Sequence, residues 1–171
     1  MQKTMNSIQI SDILSNNRIT HGKFMGVFAA DTLKTFSNYP YCLVVNSDKQ
    51  SQRGTHWMAI YVPQSNHVEY FDSLAEKPNE QIESFLNKFN HVKMNHKKIQ
   101  SSFDTSCGAH VIYFIIHRCA GHSFDSIVRG LHEKFPFSDY ILFLGVFLHL
   151  SMFVFEVGKV FSYNLLLCVV L

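Results

Sequence analysis

Residues 108–116 read Gly-Ala-His-Val-Ile-Tyr-Phe-Ile-Ile, and the helix they open carries apolar residues almost all round as far as Ala120. A helix with no polar face must be covered on every side, so it belongs in the middle of a domain with other elements packed around it. Gly121 supplies its stop. Cys107 stands in its first turn, after the polar stretch Gln100-Ser-Ser-Phe-Asp-Thr-Ser. The positive end of the helix dipole favours thiolate over thiol, which makes Cys107 a candidate nucleophile. Gln100, on the far side of that loop, has a side-chain amide able to donate a hydrogen bond beside the sulfur. Taken alone, a Cys-Gly pair beside a Gln reads as a buried structural cysteine; the upstream sequence tips the balance.

Around this helix the chain reads as short helices and strands. Met5, Ile8, Ile13 and Leu14 loosely follow a helical period, with Asn16-Asn17 as a left-handed stop. Residues 24–28 and 41–45 are short β-branched and aromatic runs, with a loop over 31–40 between them. Gly54 introduces a strand over 56–62, with His56, Met58, Ile60 and Val62 on one face and Trp57, Ala59 and Tyr61 on the other. The turn Pro63-Gln64-Ser65-Asn66 returns the chain as a second strand over 67–71, forming a hairpin. Pro78 suits the first turn of a helix in which Ile82, Phe85, Leu86 and Phe89 recur at helical spacing. Residues 92–99, ending in Lys97-Lys98-Ile99, read as an edge strand defended by lysines. Phe124, Ile127, Val128 and Leu131 form a last amphipathic stretch before Pro136.

Three chemically useful residues fall at structurally meaningful places. His56 starts a strand, Asp72 ends its hairpin partner, and Cys107 starts the central helix. A turn near residue 64 sets positions 56 and 72 opposite each other, within reach of a hydrogen bond. A carboxylate on one ring nitrogen fixes the imidazole tautomer and stabilises the imidazolium, leaving the other nitrogen to take the Cys107 proton. With imidazolium beside it and a helix terminus beneath it, such a thiolate persists well below the ~8.5 of a free cysteine. Gln100 and the Cys107 backbone N–H then stabilise the oxyanion formed when the sulfur attacks a carbonyl.

As an ordered set, Gly54-Thr55-His56-Trp57 before a strand, Tyr70-Phe71-Asp72-Ser73, and Gln100 followed by Cys107-Gly108 resemble the pattern of the adenovirus protease (adenain) family. They also resemble the related ubiquitin-like-protein proteases and the adenain-like proteases of Maverick/Polinton transposons. The likeness runs over roughly residues 8–135, with residues 24–28 and 41–46 in the places of that family's leading loop and first strand. It implies an α+β, papain-like fold in which the cysteine helix packs on a mixed sheet carrying His56 and Asp72. By the same resemblance Cys107 is the nucleophile, His56 the general base, Asp72 the orienting acid and Gln100 the oxyanion-hole donor, with Trp57 packed over the site. The short connection from Asp72 to Gln100 is closer to the viral and transposon proteases than to the larger deconjugating enzymes.

Composition narrows what else the chain does. Its 171 residues are one domain's worth, and a net charge of +2 with 16% charged residues gives no reason to expect nucleic acid. The four cysteines, Cys42, Cys107, Cys119 and Cys168, form no CxxC pair, so neither a zinc knuckle nor a disulfide framework is indicated. Cys42 and Cys119 read as core residues. No histidine pair has the spacing and partner carboxylate of a zinc protease, so no metal or other cofactor is expected. A reducing intracellular setting, nucleus or cytoplasm, fits these cysteines and an N-terminus without the apolar core of a signal peptide.

Residues 1–140 are thus read as the catalytic domain of a monomeric cysteine endopeptidase acting on protein or peptide. Residues 141–171 are a hydrophobic tail with Glu156 and Lys159 as its only charges. Its first uncharged run is short of the ~20 residues a full membrane span needs. A membrane anchor, a helix covering the core and an appended apolar sequence remain open for this tail. Viral or transposon structural proteins and ubiquitin-like conjugates are the expected substrate classes. The competing functions are a catalytically silent binding module of the same fold and a small membrane-anchored protein.

Overall fold

The computed structural model describes residues 5–101 and 105–134. The expectations for residues 141–171, and for the boundary at residue 140, lie outside the described residues. Among the described residues no helix is long and apolar enough to cross a membrane. In chain order the elements are α1 (Ser7–Asn16), β1 (Phe24–Ala29), a short 3-10 turn (Ala30–Thr32), β2 (Tyr41–Asn46), β3 (Trp57–Gln64) and β4 (His67–Phe71). Then follow α2 (Glu80–Leu86), β5 (His91–Met94), α3 (Cys107–Cys119) and α4 (Phe124–Lys134).

The strands form one five-stranded mixed sheet in sequence order. β1 and β2 run parallel, as do β4 and β5, while β2–β3 and β3–β4 are antiparallel. Both faces of its centre are covered. On one face Tyr41, Leu43 and Val45 of β2 join Met58, Ile60 and Val62 of β3, with Ile82, Phe85 and Leu86 of α2 in the same core. The opposite face carries Cys42, Val44, Ala59, Tyr61, Glu69 and Phe71, which share a face by register. Here α3 packs: Phe114 stacks on Phe71 at 4.6 Å between ring centroids, and Cys119 Sγ lies 3.7 Å from Cys42 Sγ. Arg118 donates to both Glu69 carboxylate oxygens at 2.6 and 3.0 Å, with its guanidinium over the Tyr61 ring. A bidentate, half-buried pair of this kind fixes the far end of α3 on β4.

The sandwich explains why β2 is buried at every position, a pattern that strand alternation alone would not produce. It also explains why α3 is apolar on most of its surface: the sheet lies on one side, α4 and α1 on others.

Several local expectations are corrected. α1 buries Ile10 and Leu14, while Ile8 and Ile13 face solvent; a capping box between Asn6 and Gln9 starts the helix at Ser7, leaving Met5 outside it. Asn17 is extended (φ −82°), so no left-handed stop ends that helix. Pro63 and Gln64 belong to β3, and the turn is the two-residue Ser65-Asn66; a register irregularity between Tyr61 and Gln64 accommodates the proline, which has no N–H to give the ladder. Asn79 caps α2 by accepting from the Ile82 N–H at 3.0 Å, which places Pro78 before the helix. β5 is an edge strand as expected, but it ends at Met94, so Lys93 is on it and Lys97 and Lys98 are beyond it.

Phe114 is fully buried between Phe71 and the edge of Phe124, whose centroid is 5.4 Å away. Phe114→Ala is expected to cost about 3–5 kcal/mol in urea denaturation. A loss under about 1 kcal/mol would mean that this aromatic layer does not hold α3 to the sheet.

Candidate active site

His56, Asp72 and Cys107 come from three separate places and meet at one end of the sheet. His56 is delivered by the loop between β2 and β3. Gly54 in that loop has φ +77°, and a Cβ there would lie 2.8 Å from Asn46 Nδ2, so only glycine lets the loop pass so close to the end of β2. The Ser47 N–H then donates to the His56 carbonyl at 3.0 Å, continuing the β2–β3 pairing to the histidine.

Asp72 follows the last residue of β4. The ladder pairs Ala59 with Phe71, Ile60 with Tyr70 and Tyr61 with Glu69, a register that sets position 72 across from 58 rather than 56. His56 therefore reaches Asp72 diagonally, past the end of the ladder: Nε2 and Oδ1 are 2.5 Å apart. The expected opposition of the two residues is thus off by two, because Pro63 and Gln64 extend the strand and tighten the turn.

The Asp72 side chain is almost wholly buried and fully engaged. Oδ1 also accepts from the Leu74 N–H, and Oδ2 from the Glu76 N–H, both at 2.9 Å. The turn that wraps the carboxylate takes Ala75 to φ +52°, a left-handed conformation that a non-glycine residue adopts at some cost. Asn95 holds the backbone from the other side: its Oδ1 accepts from the Asp72 N–H at 3.0 Å and its Nδ2 donates to the Asp72 carbonyl at 2.6 Å. A buried carboxylate is tolerated where hydrogen bonds replace its water, and here they do.

Cys107 is the first residue of α3 and is buried. The thiol lies close enough to the His56 ring to raise its proton affinity, as Asp72 does. Burial, the largest single influence, pushes the imidazole towards its neutral form. The bond to Asp72 and the neighbouring Cys107 thiol outweigh it and lift His56 to about 9. With Nε2 on the carboxylate, Nδ1 is the ring nitrogen left for the sulfur.

Gln100 is buried beside this group. The Ser73 hydroxyl donates to Gln100 Oε1 at 2.6 Å, and the Ser73 carbonyl accepts from the N–H groups of both Ile99 and Gln100. Trp57 is held by an indole N–H bond to the Met5 carbonyl at 2.9 Å, and the Met5 side chain lies against Gly108, where a Cβ would come within 2.9 Å of it. Met5 therefore touches the residue after His56 and the residue after Cys107. Residues 102–104, between Gln100 and Cys107, lie outside the described residues.

The sequence singles out His56, Asp72, Gln100 and Cys107; the first two are joined by a hydrogen bond, and the fourth lies near the same imidazole. Asn95 and Met5 gave no signal in the sequence, since the one is a polar residue beside an edge strand and the other an apolar residue near a helix start. Ser73 stood within the quoted Tyr-Phe-Asp-Ser motif without a role. Among the described residues no cluster of three His, Cys, Asp or Glu side chains is placed to hold a metal ion.

No family profile matches the chain. It is 32% identical over 98 residues to the R355 protein of Acanthamoeba polyphaga mimivirus, named as a proposed thiol protease, covering 51% of this chain and 32% of that one. The chain thus spans about a third of the relative's length. Its backbone superposes on the ASFV pS273R protease with a TM-score of 0.56 at 17% identity, over 73% of this chain and 61% of that one. The fold is that of a papain-like cysteine protease. The central domain of the Lpg1148 protein from Legionella pneumophila is also similar in fold, with a TM-score of 0.54 at 13% identity over 91% of this chain and all of that domain.

Raising His56 from the ordinary histidine value of 6.5 to about 9 means that the folded protein binds its proton more tightly than the unfolded chain. The stability this contributes is fully present below about pH 6.5 and is lost as pH rises through about 9. His56→Gln removes the titrating group. The gap in unfolding free energy between the parent protein and this variant is expected to narrow between pH 6.5 and 9, followed by urea denaturation. A gap that stays constant over that range would remove the protonated His56–Asp72 pair.

Proposed function

We propose that this chain is a cysteine peptidase, with Cys107 as nucleophile, His56 as base and acid, Asp72 as the orienting carboxylate and Gln100 as an oxyanion donor. The observation that carries the reading is one imidazole bonded to the buried Asp72 carboxylate and lying close enough to the thiol at the start of α3 for that thiol to raise its proton affinity. A buried structural cysteine has no need of a histidine held in that way. The partial match to a protein named as a proposed thiol protease supports the same chemistry.

In this reading the proton of the thiol already rests on His56 Nδ1, as the raised proton affinity of that ring requires, and the Cys107 thiolate beside the imidazolium attacks the scissile carbonyl carbon. The tetrahedral oxyanion is met by the Cys107 backbone N–H, at the positive end of α3, and by the Gln100 amide. As the C–N bond breaks, the imidazolium gives its proton to the leaving amine, and a thioester remains on Cys107. Water, deprotonated by His56, attacks this thioester and releases the acid product and free thiol. Asp72 stays ionised throughout and stabilises the imidazolium.

The more specific reading places the chain with the adenain-like and ubiquitin-like-protein proteases, nearest to those of Maverick/Polinton transposons. Its support is the order and spacing of the four motifs around His56, Asp72, Gln100 and Cys107. The substrates are then viral or transposon structural proteins, or ubiquitin-like conjugates cleaved at peptide or isopeptide bonds.

Cys107→Ala is expected to abolish cleavage of a peptide substrate and to keep the fold, measured by turnover and by circular dichroism. Asp72→Asn should retain more activity than Cys107→Ala, and Gln100→Ala should lose on the order of 10²–10³ in kcat with little change in KM. Undiminished turnover in Cys107→Ala would end the peptidase reading. The pH profile is a separate check: kcat/KM is expected to fall as pH rises through about 9, where His56 gives up the proton that the leaving amine needs. An alkaline limb near pH 7 would contradict the described environment of His56.

A further inference from the structure

Asp72 and Ser73 are adjacent in the chain and turn to opposite tasks. Asp72 holds His56, whereas Ser73 holds Gln100. Ser73 is completely buried and Gln100 is 3% exposed, so water does not compete for the bond between them. The backbone is tied as well, because the Ser73 carbonyl accepts from the Gln100 N–H at 2.9 Å and from the Ile99 N–H at 2.8 Å. With the main chain fixed at both residues, the remaining choice for Gln100 is which end of its amide faces Ser73.

The arrangement of the Ser73 hydroxyl bears on that choice. A carboxamide has an acceptor end and a donor end of nearly equal size, and in an oxyanion hole the two are not interchangeable. The donor end lowers the energy of the tetrahedral intermediate, and the acceptor end raises it. In the structure the Ser73 hydroxyl donates to Oε1, which turns the Nε2 end to the other side. We propose that Ser73 is the positioning residue of the oxyanion hole, acting through Gln100 by fixing the orientation of its amide. The proposal rests on the reading of Gln100 as an oxyanion donor and adds the residue that makes it one.

Removing the hydroxyl leaves Oε1 buried without that partner, a cost that drives the amide to rotate or withdraw. The ground state does not use the donor, so the loss falls on the chemical step and not on substrate affinity. The experiment is a double-mutant cycle on one peptide substrate, with Ser73→Ala, Gln100→Ala and the two combined, reading kcat and KM separately. Ser73→Ala is expected to lower kcat about tenfold or more at unchanged KM. In the Gln100→Ala background the same substitution is expected to cost nothing further, since no amide remains to be oriented.

If Ser73→Ala costs the same factor in both backgrounds, Ser73 acts on the fold in general and the proposal is overturned. Full kcat in Ser73→Ala, with a large loss in Gln100→Ala, also overturns it while leaving the oxyanion reading intact. Full kcat in Gln100→Ala removes the donor reading, and this proposal with it. Ser73→Cys, which keeps the volume but donates weakly, is read by the same criterion where the alanine variant does not fold.

Discussion

A buried carboxylate sets the terms for everything around it. Asp72 is 3% exposed, and a charge so far from water survives only if the protein supplies the hydrogen bonds that water would have given. Three reach its side chain, from His56, Leu74 and Glu76, and the Asn95 amide occupies both backbone groups of the same residue. Each imposes a shape. The two N–H donors force the turn after β4 to curl around the oxygens, which is why Ala75 carries a positive φ. The bond to His56 fixes which nitrogen is left for the thiol. Strain in the turn, the histidine tautomer and the position of the sulfur's partner are thus consequences of a single ionised group.

The second organising element is α3, which carries the sulfur at one end and a carboxylate contact at the other. Phe114 stacked on Phe71 fixes its middle, and the Arg118–Glu69 pair fixes its C-terminal turn, both on β4. Since β4 also leads directly into Asp72, Cys107 and Asp72 are referenced to the same strand. An error in helix placement would have to break an aromatic stack and a bidentate ion pair before it moved Cys107 away from His56.

The sequence was readable where local chemistry and periodicity agree. The all-round apolar helix, the amphipathic α2 and α4, and the strands of the hairpin follow from spacing alone, and His56, Asp72 and Cys107 stood out because each sits at an element end. The misreadings have a common origin. Pro63 looks like turn chemistry, yet the pairing of β4 with β3 keeps it in a strand, and that one difference shifts the register by which His56 and Asp72 meet. Asn17 looks like a left-handed stop, yet its side chain instead accepts from the Ile19 N–H and the chain leaves extended. Asn95, Ser73 and Met5 were invisible because their partners, at positions 72, 100, 57 and 108, are far away in sequence. Tertiary hydrogen bonds leave no periodicity to find.

Those long separations bear on the order of events during synthesis. Met5, His56, Asp72 and Asn95 leave the ribosome before Cys107, whereas the sheet face carrying Cys42, Glu69 and Phe71 is covered only when α3 follows. The thiol thus arrives with the same helix that covers that face of the sheet. A chain of this design has no sulfur beside His56 until residue 107 has been added.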